Sequence, residues 1–144
     1  MQTPSINDVM EAYAKDAETA ARKRGFILDY SEASLEDVDR ILNEITAGDI
    51  LKPQTESERE DLWILSKVYG GYLGQVVIRE MTGEWELQDL PDGRARVVLR
   101  SCGIQAFPPE KIFKRLTQDR FSGVSGYCRA LRAILEKRKK ENEG

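Results

Sequence analysis

A run of apolar residues at helical spacing, DLWILSKVYGGYLGQVVIREMTGEWEL over residues 61–87, carries three glycines inside it and ends in a tryptophan-bearing strand. Each glycine in a helix interior costs about 0.5–1 kcal/mol relative to alanine, so Gly70, Gly71 and Gly74 require a compensating contact. Ser66, Gly70 and Gly74 fall four apart and so share one helix face, on which a second backbone can approach closely. Close packing of another element is the favoured compensation. The alternative is a ligand pressed against the bare backbone, which makes Ser66, Gly70, Gly71, Gly74 and Trp85 a candidate groove. Neither GxGxxG between strand and helix nor the P-loop pattern is present, so no nucleotide fingerprint accompanies these glycines.

The flanking sequence predicts the rest of the fold. Ser5 with Asp8 opens a first helix, and Gly25 closes it after Arg22, Lys23 and Arg24. Residues 26–30 read as buried connecting chain or a short strand. Ser34 followed by Asp37 starts a second helix, with Leu35, Val38, Ile41, Leu42 and Ile45 on its apolar face and Gly48 as its stop. Thr55 with Glu58, or Ser57 with Glu60, opens the long glycine-bearing helix. Trp85 and Leu87 alternate with Glu84, Glu86 and Gln88 as in a half-buried strand, and Pro91, Asp92 and Gly93 turn the chain into a return strand over residues 94–100. On that strand Ala95, Val97 and Leu99 share one face, and Arg96, Val98 and Arg100 the other. Pro109 suits the first position of a fourth helix anchored by Ile112, Phe113 and Leu116. A last helix starts near Ser122 or Ser125 and carries Tyr127, Leu131, Ile134 and Leu135.

This order predicts an α+β fold, a mostly helical single domain packed on a small antiparallel β-hairpin. A chain of 144 residues suffices for one core, expected over about residues 5–136, with residues 137–144 as a frayed tail. No apolar run approaches the roughly 20 residues a bilayer crossing needs, so no membrane association is expected. The amphipathic start, without a basic n-region and apolar centre, makes the cytoplasm the default location.

Reactive chemistry is sparse. The chain has no histidine, which removes the usual general base and the commonest zinc ligand. Cys102 and Cys128 lack CxxC spacing, so no metal knuckle or redox pair is implied, and buried thiols are the plain reading. The acids Glu36, Asp37 and Asp39, and Glu56, Glu58, Glu60 and Asp61, fall at helix starts, where they favour the helix dipole over a metal. No catalytic residue, metal ligand or cofactor site is therefore assigned.

Charge is divided along the chain. Residues 1–93 hold 9 Lys and Arg against 20 Asp and Glu, a net of −11, whereas residues 94–140 hold 13 against 3, a net of +10. The two halves would neutralise each other across contacts, or leave a two-faced surface that steers a charged partner. Arg94, Arg96, Arg100, Lys111, Lys114 and Arg115 are the candidate basic face. Aromatics suited to base stacking are scarce beside them, so nucleic acid is a secondary expectation.

The segments LDYSEASLEDVDRILNE, VYGGYLGQVVIREMTGEWEL and AFPPEKIFKRLTQD, with GVSGYCRAL after them, resemble a bacterial domain family of uncharacterised function, family 3806. The resemblance covers residues 27–135 and rests on the glycine-bearing helix ending before Gly83 and Trp85 and on the later Pro108 to Ile112 step. It implies a fold and a bacterial origin without an activity. The functional expectation is a non-enzymatic module that engages another protein, immunity-like or regulatory. A small-ligand-binding domain, or an enzyme using carboxylates or a cysteine, is the alternative.

Overall fold

The Ser5 hydroxyl accepts the Asp8 backbone N–H, and the Asp8 carboxylate accepts that of Ser5, a complete capping box that starts α1 at Ile6–Lys23. A computed structural model describes residues 3–143, and residue 144 of the expected tail lies outside them. Met10, Ala14, Ala17 and Ala21 form the buried stripe of α1, so small residues set its close approach to the core. Residues 26–30 are connecting chain without strand pairing, with Leu28 and Tyr30 buried and Ile27 exposed.

The second helix begins differently from its sequence pattern. Ser31 caps a 3-10 turn, Glu32–Ser34, and that turn runs directly into α2, Leu35–Thr46. Ser34 already has helical dihedrals and makes no cap bond, because its hydroxyl is drawn to the Ser31 carbonyl and to Tyr72. Thr55 caps α3, Glu56–Glu80, through the Glu58 N–H. Residues 69–77 of α3 are buried without interruption, so this helix is the axis on which the others pack.

Three antiparallel strands follow, β1 at Glu84–Asp89, β2 at Ala95–Ser101 and β3 at Ile104–Ala106, in the order β1-β2-β3. The register pairs Glu84 with Arg100 through Asp89 with Ala95, and Leu99 with Ala106. The third strand is an addition to the expected hairpin. Cys102 and Gly103 at φ 50° and 78° form its two-residue turn, a left-handed pair in which cysteine takes the place usual for asparagine. Helix α4 spans Pro108–Thr117, starting one residue earlier than expected with both prolines in its first turn. It packs on β2, and Val98, on the strand face expected to be polar, is buried.

Helix α5 runs over Val124–Glu143, so residues 137–143, expected as a frayed tail, continue the helix. Its start is capped from a distance. Asp39 on α2 accepts the N–H groups of Val124 at 2.6 Å and Ser125 at 3.1 Å, and the Ser125 hydroxyl at 2.7 Å. Asp39→Ala should therefore cost about 1–2 kcal/mol in chemical denaturation, and Asp39→Asn less, because the amide oxygen still accepts. The described residues form one α+β domain with its core between α1, α2, α3, α4, α5 and the inner sheet face, and no helix among them is long and apolar enough to cross a membrane.

Candidate interaction site

The glycines of α3 are covered by the protein's own elements. A Cβ on Gly70 would stand 2.7 Å from the Pro109 backbone, one on Gly71 2.9 Å from the Met10 carbonyl oxygen, and one on Gly74 2.0 Å from the Trp85 ring. Each glycine thus admits a different neighbour: the start of α4, the middle of α1 and the indole of β1. Ser66 is buried, its hydroxyl donating to the Leu62 carbonyl. The expected groove along Ser66, Gly70, Gly71, Gly74 and Trp85 is filled, because close packing is what the missing side chains permit.

The basic face is likewise not assembled as one surface. Arg94 pairs with Asp92 at 2.6 Å, and Arg100 with Glu86 across the strands at 2.8 Å. Arg96 pairs with Glu110 at 2.9 Å and lies 3.8 Å above the Phe107 ring. Arg115 is only 4% exposed, and its guanidinium donates to the Asp49 carbonyl at 3.3 Å, tying α4 to the link between α2 and α3. Lys111 is half-buried beside Tyr127 and donates to the Ser122 hydroxyl, and burial first, then Lys114, holds its ammonium below the usual lysine range. Lys114 alone of the helical candidates is exposed. Charge is instead matched across the two halves of the chain, Arg132 bridging to Glu32 at 2.6 Å and Arg100 to Glu86.

The acids near helix starts have local work. Asp37 pairs with Arg40, Asp39 caps α5, and Glu58 accepts the Gln54 N–H. The cysteines differ in setting. Cys128 is fully buried, and burial, reinforced by Glu32, pushes its thiol up to about 11. Cys102 is half-buried beside a 460 Å³ groove with Thr82, Arg132 and Lys139. At neutral pH iodoacetamide should label Cys102 on the native protein and reach Cys128 only after unfolding, which peptide mapping reads directly.

A different concavity opens where the hairpin leans over the first half of α3. It encloses 580 Å³ between Trp63 and Lys67 of α3, Leu87, Ala95 and Val97 of the sheet, Leu90 and Arg94 at the turn, and Pro109 and Glu110 of α4. Its position follows from the glycines. Gly74 draws the Trp85 end of β1 onto α3, Gly70 draws in Pro109, and the chain between them stands off the larger side chains of Trp63 and Lys67. Trp63 is held by stacking on Phe113, centroids 4.2 Å apart and planes 8° from parallel. Leu87 is 56% exposed, an apolar side chain presented at the groove rather than withdrawn into the core.

Lys67, Arg94 and Arg96 against Glu110 give this lining a cationic excess. Such a surface offers apolar contact with a charged rim. Of its residues, only Arg94 and Arg96 belong to the basic face expected from the sequence. Trp63 and Leu87 had a sequence signal, large apolar residues interleaved with charges, but the same signal describes ordinary core positions.

No family model, no curated protein and no solved structure matches this chain.

Proposed function

We propose that this protein is a non-enzymatic interaction module that holds an acidic, apolar-bearing segment of a partner protein in the groove between Trp63 and Leu87. The observation that carries this reading is the groove itself, an apolar floor of Trp63, Leu87, Leu90, Val97 and Pro109 rimmed by Lys67, Arg94 and Arg96. Aromatic and arginine side chains of this kind dominate the energetics of protein interfaces, because they bury large area and form directional charged contacts. The Arg94–Asp92 pair is exposed, and such pairs contribute little, so a partner carboxylate can replace Asp92 at small cost. Membership of the bacterial family that the chain resembles belongs to the same proposal and adds no activity to it. Whether the module is immunity-like or regulatory follows from the partner it holds.

Leu87→Asp is the direct test, since Leu87 is exposed and its loss leaves the core intact. Wild type and variant should melt within about 2 °C of each other, as surface substitutions do. Quantitative mass spectrometry of parallel captures from the native cell should show one protein retained by the wild type and depleted at least tenfold on Leu87→Asp. Equal retention on both baits would place the partner elsewhere.

A further inference from the structure

β1 is an outer strand of the sheet, and the direction of its free backbone groups follows from the turn that leads out of it. The Leu90 N–H donates to the Arg94 carbonyl at 2.8 Å, which makes Leu90 and Arg94 a bonded pair. Antiparallel ladders alternate, so Gln88, Glu86 and Glu84 are the bonded residues facing β2. The N–H and C=O groups of Trp85, Leu87 and Asp89 then point away from the sheet. Trp85 fits this assignment, its N–H donating outward to Asn7 Oδ1 at 3.4 Å. The start of α1 thereby covers the edge at Trp85. Among the described residues, no hydrogen bond reaches the backbone of Leu87 or Asp89 from the outer side.

The unpaired edge borders the groove through Leu87, whose side chain lines it. Such an edge is a template for another strand, and main-chain bonding there leaves alternate side chains of the added segment free to enter the groove. Charge selects the occupant. A segment with acids and apolar residues on one face meets Lys67 and Arg94 at the groove, and basic residues on its other face meet Glu84 and Glu86.

We infer that the Leu87 and Asp89 edge of β1 takes an extended segment of the partner protein as a fourth strand, with the acidic and apolar face of that segment turned into the groove. The inference rests on the groove reading above and adds the mode of recognition and the sequence pattern of the partner.

The test uses a terminally blocked, fluorescent octapeptide in which lysine and threonine alternate on one face and leucine and aspartate on the other. Two further versions carry backbone N-methyl groups, one on the lysine and threonine positions and one on the leucine and aspartate positions. A strand presents its N–H groups alternately to its two sides, so only one version loses the bonds to β1. The parent peptide should bind in fluorescence anisotropy, one methylated version should bind at least about tenfold more weakly, and the other should match the parent. Asp89→Pro, which removes an outward N–H and no ladder bond, should weaken the parent peptide similarly. Equal binding of both methylated versions overturns strand addition and leaves the groove reading standing. No binding of the parent peptide also overturns the inference, while the groove reading is then decided by the Leu87→Asp captures, which do not use the peptide.

Discussion

Gly74→Ala should destabilise the protein by about 2–3 kcal/mol, although alanine is the better helix former by roughly 1 kcal/mol. The added methyl would stand 2.0 and 2.1 Å from Cζ2 and Cη2 of Trp85, far inside the ~3.5–4.0 Å at which carbon atoms pack. Trp85 is 3% exposed and cannot swing clear without opening the contact between β1 and α3. Overpacking of a tight core costs about 1–3 kcal/mol, and expelling a large aromatic about 3–5 kcal/mol, so the propensity gain is outweighed. Thermal unfolding should fall by about 6–12 °C. Trp85→Leu provides the control: in that background Gly74→Ala should cost less than about 1 kcal/mol, a coupling that a double-mutant cycle isolates. A neutral Gly74→Ala in the wild-type background would mean that the indole does not rest on this glycine.

Tyr72→Phe should cost about 2 kcal/mol, because one hydroxyl completes a buried chain of three hydrogen bonds. The Tyr30 N–H donates to Tyr72 Oη at 2.8 Å, Tyr72 Oη and Ser34 Oγ are 2.6 Å apart, and Ser34 Oγ donates to the Ser31 carbonyl at 2.6 Å. With Ser34 donating onward, the Tyr72 hydroxyl donates to Ser34. Removing it leaves the buried Tyr30 N–H without an acceptor and the Ser34 oxygen without its donor, at about 1–3 kcal/mol. The same bond holds Tyr30 at φ 66°, a left-handed conformation that bulky residues avoid. A lower urea midpoint at unchanged slope would identify this as a loss of native-state stability. Burial raises the Tyr72 hydroxyl above its ordinary 10.0, with the Ser34 and Tyr30 bonds opposing. The protonated form is therefore the one the fold favours, and its contribution is full below pH 10 and declines as pH rises further. Tyr72→Phe should lose less stability than the wild type over that alkaline range.

Much of the fold was legible because its signals are local. The Ser5 and Thr55 caps, the turn at Asp92 and Gly93 and the prolines of α4 each act within a few residues. The Ser31 start was hidden because Ser34 offers an equally good pattern, and only the distant Tyr72 hydroxyl decides between them. β3 was hidden because Cys102 at the turn is an uncommon residue for its dihedrals. The sites were less legible still. Three glycines signalled closeness without saying to what, and Arg115 reads as surface charge until α4 buries it. The groove has no motif of its own, since it is the space left where the hairpin and α4 converge on α3.

Hydrogen–deuterium exchange of the protein alone and with its captured partner tests the groove most directly. Slowed exchange should concentrate in residues 63–67 and 86–97, with the outward amides of Leu87 and Asp89 among the most protected. Protection confined to α5 and the Cys102 turn, with β1 unchanged, would contradict the account.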